Sequence, residues 1–157
     1  MNIKKLINYT FLTILIVFFA GILYAFYTDI FPLKLGIHPK IYKSSNLGMG
    51  GYDMVNYFQS RSASKGNSRF SHYRKSVYWS FMSSGNLKKF SDNPTRYIPQ
   101  YGGFCTYSIS EGYTYPPDPD IWEIRNGRIY FFRNEEVKKL ALYKWEQTIS
   151  KANANWK

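Results

Sequence analysis

Hydrophobic and polar positions are distributed very differently at the two ends of this chain. From Leu6 to Tyr27 no charged side chain interrupts an apolar run broken only by Asn8, Thr10 and Thr13, and Lys4 and Lys5 stand directly before it. As a helix rising ~1.5 Å per residue, the run covers about 33 Å, enough for a hydrocarbon core of roughly 30 Å. The pattern predicts an uncleaved transmembrane anchor over residues 1–28. A cleaved secretory signal would leave through small residues at alternate positions, whereas this run ends Ile22-Leu23-Tyr24-Ala25-Phe26-Tyr27, and no cysteine follows to carry a lipid. Lys4, Lys5 and the amino terminus face Lys34, Lys40 and Lys43 across the run, so the basic residues nearly balance. A short two-lysine tail stays cytoplasmic while a long following domain translocates, which gives an N-in, C-out, periplasmic expectation.

Beyond the anchor the periodicity shortens. Arg69 to Arg74 and Val77 to Met82 read as paired strands turning at Lys75-Ser76, their aromatic residues suited to a pleated surface. A short helix follows, capped by Ser83 or Ser84, burying Leu87 and Phe90 and stopped by Asn93-Pro94. Phe104 to Ser110 reads as a strand. Trp122 to Arg125 and Arg128 to Phe132 read as a hairpin, because Asn126-Gly127 supplies the two positive-φ positions of a type I′ turn. Glu135 to Ala152 reads as one helix capped by Asn134. Its buried stripe is Val137, Leu140, Ala141, Trp145 and Ile149, with Lys138, Lys139 and Lys144 facing outward. Strands and helices without regular alternation predict an α+β domain: a small antiparallel sheet with short helices and a C-terminal helix, preceded by one transmembrane helix.

Between anchor and domain, residues 29–45 mix Ile30, Phe31, Leu33, Leu35 and Ile37 with Pro32, Pro39 and three lysines. The prolines exclude a continuous helix, so this stretch is expected to be a basic juxtamembrane connector lying along the membrane surface. Ser44-Ser45-Asn46 and Gly48, Gly50 and Gly51 mark a flexible lead-in to a single domain over residues 46–157. Fifteen Tyr, twelve Phe and four Trp supply large apolar surfaces, and Cys105, the lone cysteine, has no partner for an internal disulfide.

Charge narrows the list of partners. The chain carries +11, and Lys34 to Arg96 has 11 basic residues against 2 acidic, while Tyr97 to Lys157 has 8 against 7. A basic face beside a membrane most simply meets anionic lipid headgroups, or a protein partner. Nucleic acid fits poorly outside the cytoplasm. Enzyme chemistry finds little support: there is no phosphate-cradling glycine loop, no zinc-type spacing, and only two histidines from which to build a nucleophile-base pair. Asp118 and Asp120 flank Pro119 in what reads as a rigid surface loop.

The order of several short motifs resembles the bacterial YHS-domain family from Gly51 to Trp156. The resemblance is carried by Gly51-Tyr52-Asp53-Met54-Val55-Asn56-Tyr57-Phe58, by Trp79-Ser80-Phe81-Met82-Ser83 with Asn86, Phe90, Asn93-Pro94 and Tyr97, and by Pro99-Gln100-Tyr101-Gly102-Gly103-Phe104-Cys105. Asp118-Pro119, Trp122, Gly127 and Ala154-Asn155-Trp156 follow in register. The resemblance implies a YHS-like fold and an association with metal binding. Where cysteine-bearing members would place their ligands, this chain has Val55, Met82 and Asn86, so a cysteine-cluster site is not implied.

Two candidate sites emerge. Tyr101, Gly102 and Gly103, with Asp53, are candidate ligand-binding residues, because paired glycines let the backbone approach another group closely and Asp53 can orient a ligand or cap the segment after it. Cys105, His72 and Met82 are candidate metal ligands: thiolate, imidazole and thioether form a soft set that suits a copper-type ion. The plainer roles are a buried thiol for Cys105 and a single hydrogen bond for His72. The function expected is a membrane-anchored YHS-like domain binding a metal ion or small ligand, or else a non-catalytic accessory module of a membrane complex.

Overall fold

The structure, a computed structural model, describes residues 3–157; the amino terminus and the side chains of Lys4 and Leu6 lie outside the described residues. Helix α1 runs Ile3–Thr28, and its stretch Ile7–Thr28 is long and apolar enough to cross a membrane, with none of it buried against the rest of the chain. The remainder is mixed helix and sheet, as the sequence pattern predicts. In chain order it comprises β1 (Lys43–Ser44), β2 (Leu47–Gly48), α2 (Met54–Gln59), β3 (Asn67–Arg74), β4 (Val77–Phe81), α3 (Ser84–Asp92), α4 (Pro94–Tyr97), α5 (Thr106–Ser110), β5 (Asp118–Arg125), β6 (Arg128–Phe132), α6 (Glu135–Tyr143) and α7 (Trp145–Asn155).

The strands form two sheets. One has the order β1-β2-β4-β3, antiparallel except where Leu47 of β2 meets Tyr78 of β4 in parallel; the other is the β5-β6 hairpin. Both expected hairpins are present. Lys75 and Ser76 take φ of 52° and 61°, and Asn126 and Gly127 take 51° and 71°, so each two-residue turn has positive φ at both centres. Strand β6 separates two apolar cores by simple alternation. Ile129 and Phe131 enter a core built on Met54, Tyr57, Trp79, Phe81 and Phe90, while Tyr130 and Phe132 enter a second with Tyr101, Phe104, Cys105, Ile109 and Ala152.

A buried carboxylate joins the elements of the first core. Asp53 caps α2, its Oδ1 accepting from the Val55 and Asn56 amides at 2.9 and 3.2 Å. Its Oδ2 accepts from the Met82 amide at 2.8 Å and from Asn86 Nδ2 at 2.7 Å, tying α2 to the turn between β4 and α3. Ser83 caps α3 by accepting from the Asn86 amide.

Four expectations change. Phe104 to Ser110 is not a strand: Cys105 makes one parallel bridge to Phe131 and the chain then coils into α5. A short, mostly buried segment that mixes apolar and small polar residues has no clear period to separate a strand from a helix, and here contact with α6 and α7 decides. The last helix breaks at Lys144, at φ −117° and ψ 43°, so that Trp145 meets Tyr130 edge-to-face at 4.9 Å and α7 lies against α5. Leu140 therefore leaves the buried stripe and is exposed, whereas Lys138 reaches inward to 3.8 Å from Glu123. Asp118 to Asp120 belong to β5 ahead of a bulge, with the Pro119 carbonyl accepting from Tyr57 Oη at 2.9 Å.

The fourth change concerns residues 29–45, which fold onto the domain. Phe31, Leu33, His38 and Ile41 are buried, and the Tyr42 amide donates to the Gly102 carbonyl at 2.9 Å. A fragment beginning at Asp29 is therefore expected to fold cooperatively, and one beginning at Ser45 to melt at markedly lower temperature, as circular dichroism of the two would show. Asp53→Ala should cost about 3 kcal/mol or more, since it strands several buried donors, whereas exposed Lys139→Ala should change stability by less than about 0.5 kcal/mol. Urea denaturation of the full chain in detergent measures both.

Candidate functional site

The loop Tyr101 to Cys105 owes its shape to three consecutive positive-φ residues, Tyr101 at 52°, Gly102 at 63° and Gly103 at 91°. The close approach that the glycines permit is to the chain itself. A Cβ on Gly102 would collide with the Lys40 carbonyl, and one on Gly103 with the Met49 sulfur. Tyr101 is buried, and its hydroxyl donates to Asn153 Oδ1 at 2.9 Å; burial holds that hydroxyl well above the ordinary tyrosine range. Asp53 likewise has its oxygens engaged within the fold, so it acts as a cap and cross-link.

The three candidate metal ligands are not brought together. Cys105 is fully buried in the second core, its amide donating to the Tyr115 carbonyl at 3.0 Å. His72 lies on β3 against Phe90 of the first core, ring centroids 5.6 Å apart, with Nδ1 at 3.1 Å from Ser91 Oγ. Met82 is half exposed at the start of the α3 turn. Among the described residues no group of three or more His, Cys, Asp or Glu side chains is placed to hold a metal ion.

The Tyr101 loop does, however, form one wall of a groove of about 400 Å³. Two turns and two chain segments supply its cations: Arg74 and Lys75 from the β3-β4 turn, Arg128 from the start of β6, Lys40 from the segment after the anchor, and Lys157. Trp79 Nε1 donates to the Arg74 carbonyl at 3.1 Å and fixes the end of that hairpin. Trp156 lines the groove with Lys40 Nζ at 5.7 Å from its ring centroid, and Asn153, Gln100 and Thr95 add neutral polar groups. No acidic side chain lines it among the described residues, and Arg74, Lys75 and Arg128 join none of the ion pairs found there. Lys40 Nζ is held by the Lys157 main-chain oxygen.

The groove escapes detection in the sequence because its cations come from positions 40, 74, 75, 128 and 157. The basic excess of Lys34 to Arg96 is the one trace of it, and that excess does not distinguish these lysines and arginines from their neighbours.

No protein-family model, curated protein or solved structure matches the chain.

His38, beside the groove, stacks on Trp156 at 4.8 Å between ring centroids and has Nδ1 at 3.2 Å from the Pro39 carbonyl. Burial, with a smaller push from Lys40, lowers its pKa below the ordinary 6.5, while the Pro39 contact opposes them. A lowered histidine pKa means that the unfolded chain takes up the proton first. Its stability contribution is therefore complete above 6.5 and declines as pH falls through the folded value. Urea midpoints at about pH 7.5 and about pH 5.5 should differ more for the wild type than for His38→Gln.

Proposed function

We propose that this chain is a membrane-anchored binding domain, YHS-like in the order of its motifs, whose ligand is a small anion held in the basic groove. The observation that carries the reading is the convergence of five cationic residues from four parts of the chain on one concavity with no acidic side chain among the described residues that line it. Arg74, Lys75 and Arg128 are exposed and join no ion pair among the described residues, so their charges are free to meet an anion. Arg74 and Arg128 bring planar guanidinium forks suited to paired oxygen atoms, and Lys75 adds a compact ammonium. Trp156 and the Tyr101 loop give the groove a firm wall, because each is anchored by its own contacts and leaves the exposed cations to meet the ligand. A soft-metal role for Cys105 has no such support, since its neighbours are Phe104, Ile109 and other core side chains.

Inorganic pyrophosphate titrated into the full chain in detergent at low ionic strength should change tryptophan emission through Trp156. Arg74→Ala and Arg128→Ala should each weaken the apparent affinity about fivefold, corresponding to ~1 kcal/mol per exposed charge-assisted contact. Added salt should weaken binding in the same direction. Wild-type affinity in the double variant would overturn the reading.

A further inference from the structure

We propose that Leu35 and Ile37 form an apolar foot seated in the headgroup layer of the bilayer that α1 crosses, so that the domain rests on the membrane instead of swinging from a tether. The proposal rests on reading α1 as a membrane span. Tyr24 and Tyr27, 65% and 88% exposed, sit in its last turn, where amphipathic rings mark the boundary between hydrocarbon and water.

The chain does not become free at that boundary. Thr114, fully buried, receives the Phe31 amide at its hydroxyl oxygen, 2.8 Å away, and donates that hydroxyl to the Asp29 carbonyl at 2.8 Å. The Thr114 amide donates to the Phe31 carbonyl at 2.9 Å, the Leu33 amide donates to the Gly112 carbonyl at 2.9 Å, and the Phe31 ring meets Phe26 of α1 edge-to-face at 5.1 Å. Domain and helix end are thereby joined by short contacts made within a few residues of the membrane boundary.

From this clamp the chain enters a tight turn. The Leu35 amide donates to the Pro32 carbonyl at 3.2 Å, and Gly36, at φ 66°, reverses the direction. Turn tips are ordinarily polar, yet this one holds Leu35 at 63% exposure and Ile37 at 46% while their neighbours Leu33 and His38 are buried. Among the described residues nothing covers the two side chains, and the occupant is indicated by continuity with the anchor: they follow the clamp directly. Lys34 stands beside them, exposed, where its ammonium meets headgroup phosphates while the apolar neighbours enter the layer.

The test uses the full chain in vesicles of phosphatidylcholine with a minor share of phosphatidylglycerol. Nitroxide labels are placed in turn at Leu35→Cys, Ile37→Cys, Val17→Cys and Tyr143→Cys, with buried Cys105 left in place and the label uptake of the unsubstituted chain subtracted. Val17 lies mid-helix, and Tyr143 is an exposed residue at the end of α6, before the break that leads into α7. Collisions with oxygen report lipid, and collisions with a water-soluble nickel chelate report water. Labels at Leu35 and Ile37 should collide with nickel several-fold less often than the label at Tyr143. If both are as nickel-accessible as Tyr143 while Val17 remains oxygen-dominated, the foot is refuted and the span stands. If Val17 itself is nickel-accessible, the span fails and takes the foot with it.

Discussion

One buried carboxylate organises the first half of the domain. Asp53 has no water to share, and its two oxygens accept from the amides of Val55, Asn56 and Met82 and from the side chain of Asn86. Two of these donors are amides of the first turn of α2, one is the amide of the chain leaving β4, and the fourth is a side-chain amide of α3. A buried acceptor with several donors converging on it has few alternative arrangements, because losing any partner leaves a polar group unpaired in the interior. The carboxylate therefore fixes how α2 sits relative to the sheet, and with it the position of Tyr57, whose hydroxyl reaches Pro119 at the start of β5. The second core is then placed through β6, whose alternate residues face opposite ways.

The same logic accounts for the most distinctive loop. Gly102 and Gly103 read in the sequence as room for a ligand, and the physical premise was sound: something does approach where a Cβ would sit. That something is the Lys40 carbonyl and the Met49 sulfur. A glycine pair announces close approach without naming the approaching group, and in a chain of this size another segment of the same chain is as able to fill the space as a ligand.

What was legible followed from local chemistry. The Asn126-Gly127 turn, the Asn134 cap and the Ser83 cap each depend on residues within a few positions of one another, and each is present. What was not legible depended on distant contact. The break at Lys144 involves neither glycine nor proline and accompanies the packing of Trp145 on Tyr130 and of α7 on α5. Four of the five residues from Thr106 to Ser110 are buried, which blurs the periodicity that would have separated helix from strand. The candidate metal set failed to assemble for a related reason: donor types were compatible, but the strand bearing His72 and the loop bearing Cys105 serve different cores.

The segment from Asp29 to Tyr42 links what would otherwise be separate problems. Its first residues bind Thr114 beside the end of α1, its last residue binds Gly102, and between them Lys40 reaches the basic groove and Trp156. The end of the apolar helix, the glycine loop and the basic groove thus share one short stretch of backbone. Because that stretch is held at both ends by hydrogen bonds inside the fold, the end of α1 and the groove wall are joined without a slack linker. Through the same stretch, Lys40 on the groove wall is joined by a few residues to the Thr114 contacts at the end of α1. The connection is short and hydrogen-bonded at both ends, and it is made by residues that a sequence reading assigns to a linker.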